Sequence, residues 1–446
     1  MAAELEFARD VVDLATAAGA SQAEVTYTIS DRFSTEARGT EVVKLEQSVG
    51  RSVTLRVFVG GGKASLGTSD LSRDGLARFV RETVEAARFV APDPHAGLPE
   101  PAFSPSADDD GHALAMFSDD VRDRDAEKKI DDALALERLA RAADARIVNS
   151  SGARVADSTT TLALANSLGF AGAYRASQTS LGVSPIAQDG DIKRTGSYGN
   201  AARSYAGLEA IASVASKAAR RAVAFVGARK PPTMRVPVIF ERDVAALVLA
   251  DLFAAVSAAS VAIGNSFLAE KIGERVGSDL VTIVDDGRIP GGLGTSPFDA
   301  EGVATQHTLV VERGKLRTFL YDSYYGRRLG SSSTGNASGG SIGPNNFLLA
   351  PGERDLDALI AATPRGILIL DTIGFATESV TGTYSRGARG FRIIDGALAD
   401  PIDEFTIAGN LLEMFSTIDA VANDLVFDQA ILSPSFRVAE MTVSGA

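Results

Sequence analysis

The chain has no cysteine, no tryptophan and only three histidines in 446 residues. Without cysteine there is no disulfide, no thiolate metal ligand and no cysteine nucleophile, a composition that suits a reducing compartment. His95, His112 and His307 are far apart in sequence. A metallohydrolase helix needs two imidazoles at helical spacing and a glutamate beside them, so that the ligands share a face and the carboxylate reaches the metal-bound water. No such pair exists here, so no zinc site built from these side chains is expected. A Ser-His-Asp triad would have to use His307, and there is no GxSxG turn to present a serine. Positive charge is scarce too: 44 Lys and Arg against 57 Asp and Glu leave a net charge of −13. That balance argues against direct nucleic-acid binding. No 18-residue apolar run occurs, and the acidic, amphipathic N-terminal segment lacks the basic and apolar regions of a signal peptide. A cytoplasmic protein with no membrane contact is expected.

What is present has the balance of a globular protein, with 45% hydrophobic and 23% charged residues and a length that allows two or three domains. The pattern predicts an α+β fold. Residues 1–92 read as a helix over 4–18, alternating strands around Val25–Ile29, Val42–Gln47 and Val53–Val59, a hairpin at Gly60–Lys63, and a second helix reaching about Phe89. This is an N-terminal layer of sheet and long helices. Residues 91–111, rich in Pro, Asp and Gly, read as a connection, and 93–228 as a second α+β segment: a helix over 126–145, antiparallel strands over 147–182, and a helix over 207–226. Arg229-Lys230-Pro231-Pro232 is the expected boundary. Residues 229–446 read as a β-rich C-terminal domain wrapped around a buried helix over 243–259, with Asp243 as its N-cap.

Few segments carry obvious chemistry. Gly60-Gly61-Gly62-Lys63 is followed by Ala64, so it does not match the phosphate-binding GxxxxGK[ST] pattern and reads as a hairpin turn. Asp285-Asp286-Gly287 ends an apolar strand; paired carboxylates there can bind a hard cation or act as acid and base, yet Asp-Gly also simply closes turns. Gly330–Asn336 and Thr406–Leu411 are glycine-flanked loops whose amides and short polar side chains could hold a peptide backbone or an anion.

An ordered set of segments resembles the TldD/PmbA family, once called modulators of DNA gyrase and regarded as metallopeptidases. The set begins with Val43-Lys44-Leu45-Glu46-Gln47-Ser48 and Thr68-Ser69-Asp70-Leu71. It continues with Ser266-Phe267-Leu268, Ile272-Gly273-Glu274-Arg275-Val276, Asp285-Asp286-Gly287 and Phe298-Asp299-Ala300-Glu301-Gly302. It closes with Asp322-Ser323-Tyr324-Tyr325, Ser333-Thr334-Gly335-Asn336, Gly409-Asn410-Leu411 and Asn423-Asp424-Leu425. In the family's TldD branch an HExxxH helix and a later cysteine bind zinc. The corresponding stretch here is Leu249-Ala250-Asp251-Leu252-Phe253-Ala254, and the cysteine position falls near Ser433. The chain therefore resembles the PmbA (TldE) branch, which lacks the motif.

The resemblance implies a zinc-free subunit of a two-component cytoplasmic peptidase that trims unfolded peptides. The zinc would belong to a TldD-type partner, and this chain would bind no cofactor and be inactive alone. Asp285, Ser333, Thr334, Gly335, Asn336 and Asn410 are the expected lining of a peptide chamber. The rival readings are a homodimeric peptide-binding scaffold without catalysis and an independent hydrolase using Asp285 and Asp286 with a borrowed cation. The family's older gyrase link would imply a DNA contact, against which the net charge argues.

Overall fold

A computed structural model describes residues 1–100, 112–374 and 377–445. The 101–111 portion of the expected connection lies outside the described residues; 91–100 have no regular structure. The fold is mixed α+β. Its first half is one antiparallel sheet built on β1 (Gln22–Arg38), β2 (Glu41–Val59), β3 (Gly62–Thr68), β4 (Ile147–Asn166), β5 (Ala171–Asp189), β6 (Ile192–Thr195) and β7 (Tyr198–Ala202). The order is β3-β2-β1-β4-β5-β6, with β7 also on β5. Strands from both sides of residue 92 thus share one sheet, because β1 pairs with β4 from Glu24↔Asn166 to Ala37↔Ala153. At about 3.4 Å per residue the longest strands run roughly 55–65 Å.

The sequence pattern breaks this sheet into shorter pieces than the structure does. Residues 42–47 and 53–59 read as two strands, yet β2 is continuous, since Ser48, Gly50 and Ser52 stay in register with Arg32, Ser30 and Thr28. The residues between 147 and 182 form two long strands instead of several. In both places ladder hydrogen bonds to a neighbour hold residues of low strand preference extended, a tertiary effect that local pattern does not carry.

One face of the sheet carries the odd-numbered side chains and is covered by helices. α1 (Ala2–Ala17) and α2 (Arg73–Arg88) pack at one end on Val25, Tyr27, Val53, Leu55 and Val57. Ser72, whose hydroxyl accepts from the Gly75 amide, caps α2. After the short α3 (Asp119–Asp123), α4 (Ala126–Ala142) and α5 (Ile211–Ala224) cover the other end, on Ala37, Val155, Leu181 and Val183. Neither pair covers residues 41–52 of β2, which are exposed throughout.

The second half opens with β8 (Met234–Phe240) and α6 (Arg242–Val256). Glu241, not Asp243, is the N-cap: its carboxylate accepts from the Asp243 amide. The helix also ends earlier than expected, because Ser257 is extended and α7 (Ala258–Ala262) restarts the chain. Val244, Val248, Leu249, Leu252 and Val256 of α6 lie in the main core, while Leu247 is 46% exposed, so burial is not all round.

β9 (Ile283–Asp286), β10 (His307–Glu312), β11 (Lys315–Leu316), β14 (Phe347–Leu349) and β20 (Ile431–Leu432) form a small sheet in the order β11-β10-β9-β14-β20. Between them come α8 (Ser323–Leu329) and the two-residue hairpin strands β12 (Ala337–Ser338) and β13 (Ser341–Ile342). After Leu316, which ends β11, residues 317–319 have no regular structure. α9 (Leu356–Ala361) precedes β15 (Arg365–Ile373), β16 (Thr377–Glu378), β17 (Thr383–Ile394) and β18 (Ala397–Asn410). α10 (Leu411–Ser416), β19 (Ile418–Val421) and β21 (Phe436–Ser444) complete the chain. β15, β8, β21, β18 and β17 pair in sequence, and β15 also pairs with β17, so this sheet closes into a barrel.

The two halves meet on the even-numbered face of the long sheet. There Phe298 packs edge-on against Phe170 and Tyr174, with ring centroids 5.1 and 5.2 Å away. Glycine is required at 172, where a Cβ would lie 2.7 Å from the Phe298 ring. Beside this contact the Arg56 guanidinium donates to Glu24 at 2.6 Å and to Glu301 at 2.9 Å, all three side chains being buried or nearly so. Burial alone would raise the Glu301 carboxyl; Arg56 and the bonds from Ser323 outweigh it and hold it below its ordinary value. Replacing Arg56 by Met leaves two buried carboxylates without their cation. Chemical denaturation of Arg56→Met is expected to show a loss of about 3–5 kcal/mol.

Candidate functional site

The even-numbered face of the long sheet is a polar trough wherever the second half of the molecule does not cover it. Its floor comes from four adjacent strands: Arg32 and Ser34 on β1, Glu46 and Ser48 on β2, Arg154, Ala156 and Ser158 on β4, and Gln178 and Ser180 on β5. Period-2 alternation puts these side chains on one face, since Ser34 lies opposite Glu46 and Ala156, and Ala156 opposite Ser180. This hollow holds about 550 Å³. It shares Arg154 and Ser180 with a second one of about 630 Å³, bounded by Gly182, Ser184, Ser197, Tyr198 and Asn200 and closed by Asp243, Asp428 and Gln429. Serine hydroxyls recur in both, glycines join them in the second, and charges of both signs are interspersed. Such a surface can meet the N–H and C=O groups of an extended peptide without selecting its side chains.

At the far wall stands a charged cluster around the start of α6. Arg221 donates to Asp243, Arg242 donates to the Tyr198 hydroxyl at 3.1 Å, and Lys217 donates to Glu209 at 2.7 Å. Burial, then the Asp243 charge, pushes the Glu241 carboxyl up to about 7.

A third hollow of about 240 Å³ lies toward the opposite end, between Leu162, Leu164 and Tyr174 on the sheet and Phe298, Asp299, Asn336 and Asn345 facing them. Here the expected site residues partly come together. Asp285 is fully buried at the end of β9. Its carboxylate accepts from the Asn336 amide at 2.7 Å, the Asn345 amide at 2.9 Å and the Asn345 backbone N–H at 2.9 Å. Thr334 donates to Asn336 at 2.7 Å, and the Ser333 hydroxyl accepts from the Gly335 amide. Gly335 has φ +72° and its Cβ would sit 2.6 Å from the Ala304 carbonyl, so only glycine fits this turn.

Asp285 and the 333–336 loop are therefore one hydrogen-bonded unit, of which Asn336 lines the hollow. Asn410 is elsewhere. It ends β18, caps α10 by accepting from the Leu412 amide, and donates to the Thr381 carbonyl at 2.7 Å. Asp286 behaves as a turn residue, accepting from the Arg288 amide at 2.8 Å, while its second oxygen meets exposed His307 at 2.9 Å.

Family models for the PmbA/TldA metallopeptidase match along the chain: domain 1 at residues 23–87, the central domain at 119–225 and the C-terminal domain at 233–445. The chain belongs to the PmbA/TldD family. It is 34% identical over 435 residues to a Haemophilus influenzae protein called metalloprotease PmbA homolog, covering 97% of this chain and 94% of that one. It is 31% identical to metalloprotease PmbA of Escherichia coli, covering 95% and 92%. Among solved structures, a protein of Bacteroides thetaiotaomicron described as a putative modulator of DNA gyrase superposes with TM-score 0.93 at 25% identity, covering 99% of this chain and 98% of that one. TldE of Thermococcus kodakarensis superposes with TM-score 0.89 at 19% identity, covering 98% and 100%, a likeness of fold.

The family's metallopeptidase name makes the donor set of α6 the next question. Over Leu249–Ala254, Leu249 and Leu252 enter the core. Asp251 is the segment's one ionisable side chain, and it accepts from Arg386 at 2.8 and 3.0 Å and from Thr377 at 2.9 Å. Ser433 is buried and donates to the Pro434 carbonyl. A carboxylate already neutralised by a guanidinium, flanked by leucines, does not fit a zinc ion. Among the described residues no group of three or more His, Cys, Asp or Glu stands close enough to hold a metal, and no helix is long and apolar enough to cross a membrane.

Sequence reading missed the trough floor and Asn345. The signal for the floor was present as small polar residues at alternate positions of 147–182, but their meaning depends on which face is left uncovered. Pro344-Asn345-Asn346 is a dense amide motif with no spacing rule attached to it.

Burial pushes the Asp285 carboxyl up to about 6, and its three donors oppose the rise. An acid whose folded pKa exceeds its unfolded value stabilises the fold at low pH and loses that contribution as pH rises through the folded value. Asp285 is thus expected to make the unfolding free energy fall between about pH 4 and 6. In Asp285→Asn one amide N–H meets donors instead of accepting. The variant should lose about 2 kcal/mol at neutral pH and also lose that part of the pH profile, both read by denaturation.

Proposed function

We propose that this chain is the zinc-free subunit of a two-subunit peptidase, and that the trough receives an extended, unfolded peptide. The observation that carries the reading is α6: in a family named for metallopeptidase activity, the Leu249–Ala254 stretch offers leucines, alanines and an arginine-paired aspartate in place of metal ligands. Relatives named metalloprotease PmbA and a solved TldE support membership in such a system. A TldD-type partner, named among the relatives of this chain, would bring the zinc ion, which supplies an activated water for peptide hydrolysis.

In this reading the chain binds and orients. Ser34, Ser158, Ser180 and Gln178 offer donors and acceptors to the peptide main chain, and main-chain bonding of this kind makes sequence matter little. Arg32 and Arg154 against Glu36 and Glu46 give the trough local charges of both signs, suited to substrates of mixed composition. A cytoplasmic location is part of this proposal, and the lack of cysteine suits such a reducing compartment.

The test combines metal analysis with cleavage of a fluorescent, unstructured peptide. The purified chain should contain no stoichiometric zinc and cleave nothing. Mixing with a TldD-type zinc subunit should produce cleavage, and Ser180→Phe, which fills the trough, should lower that cleavage about tenfold with little change in thermal stability. Stoichiometric zinc held by this chain, or cleavage by it alone, would overturn the assignment. Peptide binding with no mixed complex under any condition would replace it with the non-catalytic scaffold.

A further inference from the structure

The small hollow between Tyr174 and Asn345 continues the trough. Along β4 the floor runs from Ser158 through Thr160 to Leu162, with Gln178, Ala176 and Tyr174 opposite on β5, about 7 Å per step. Thr160, Ala176 and Leu162 are all half-buried, so the face stays partly open between the two. The space of about 240 Å³ suits one long side chain, since a cavity of about 150 Å³ takes up benzene. Leu162, Leu164 and the rings of Tyr174 and Phe298 offer apolar walls to an aliphatic stem.

Two of the lining groups are acceptors. Asn345 gives its side-chain N–H groups to Asp285 and the Gly335 carbonyl, which leaves its Oδ1 as an acceptor. Asp299 is 7% exposed and is held by three backbone N–H groups, from Glu301 at 2.9 Å, Val303 at 3.0 Å and Ala337 at 2.9 Å. These orient the carboxylate without supplying a full charge, and Asp299 takes part in no ion pair among the described residues. The guanidiniums of this region are engaged elsewhere: Arg56 with Glu24 and Glu301, Arg203 with the carbonyls of Ser177, Gly292, Leu293 and Thr295. Burial, then the Glu301 charge, pushes the Asp299 carboxyl up to about 8, against the pull of the three N–H groups. A buried acid without a counter-charge, a spare amide acceptor and aromatic walls complement a cation on an alkyl stem.

We propose that this hollow takes one lysine or arginine side chain of the peptide lying in the trough, with Asp299 as its counter-ion. The proposal rests on the peptide reading of the trough and adds to it one position at which sequence matters. It also fixes a pH dependence. A lysine ammonium stays charged up to about pH 10, and it needs Asp299 as the carboxylate. Affinity should therefore fall about tenfold per unit as pH drops below about 8. The other ionisable groups near Asp299 are Glu301, whose charge Arg56 holds, Tyr174 on β5, kept neutral by burial, and Asp285 behind Asn336 and Asn345. None of the three changes its charge by more than a minor fraction between pH 6.5 and 8.5.

Fluorescence anisotropy of the full chain reads the subsite without cleavage. The probe is a flexible Gly/Ser peptide carrying one lysine, or norleucine in its place. The lysine peptide should bind about tenfold more tightly at pH 8.5, and that advantage should be lost at pH 6.5. Leu162→Lys, at a half-buried position, places a tethered ammonium in the hollow and should erase the difference between the peptides. In calorimetry n-butylguanidinium, a free analogue of the side chain, should bind the wild-type chain and not Leu162→Lys. Equal binding of the two peptides at pH 8.5 would overturn the subsite and leave the trough reading standing. So would a lysine preference that survives Leu162→Lys or ignores pH, as the exposed Glu46 would give. Binding of neither peptide would overturn the trough reading instead, and the subsite would then stand or fall on n-butylguanidinium.

Discussion

The buried Arg56 guanidinium, held between Glu24 on the same sheet and Glu301 of the C-terminal half, is the contact on which the arrangement of the molecule rests. A charge taken out of water must be answered by partners with good geometry, and here both answers come from opposite halves of the chain. The ion pairs, together with the Phe298 ring on Phe170 and Tyr174, fix the second half over one end of the even-numbered sheet face. Arg327, donating to the carbonyls of His95 and Gly97 at 2.8 Å, ties the connection after α2 to the same region. Further along, Arg194 of β6 pairs with Asp403 of β18 and Arg221 of α5 with Asp243, so the second half is also tied to the far edge of the sheet, and the face between these anchors stays open.

The trough follows from this placement. Helices bury the odd-numbered face, the second half covers part of the even-numbered face, and what is left is a floor of serines, glycines and amides between walls of β7 and the start of α6. Such residues form no core, and in the middle of these long strands they lie where the sheet face is left open. The barrel and α6 form the main core, and in this chain α6 serves packing: Leu249 and Leu252 point inward and its single internal acid is bound by Arg386.

The Asp285 cluster shows how a carboxylate expected to line a chamber also orders the loop beside it. A carboxylate with three donors, all from the two asparagines that flank one hairpin, orders the 333–345 segment against β9. Its chemistry is spent on holding Asn336 and Asn345 where they line the small hollow. Asn410, grouped with it by composition, caps a helix on the barrel instead, since loop chemistry of the Gly-Asn type recurs wherever a strand turns into a helix.

By itself the sequence determined the local elements and the family. Apolar periodicity placed α1, α2 and α4 and the inner face of β1 near 25–29 and of β2 over 53–57, because those signals depend only on neighbours along the chain. The ordered motifs pointed to PmbA/TldD relatives, and the missing histidines and cysteine to an α6 without metal ligands, because residue identity needs no geometry. Tertiary structure alone decided that 41–59 is one strand, that Glu241 caps α6, and that Glu24, Arg56 and Glu301 meet. It also decided that the even-numbered serines of four strands face an open trough. Each of these depends on which surface another part of the chain covers, and burial of that kind is set by contacts between residues up to 245 positions apart, beyond the reach of any local pattern.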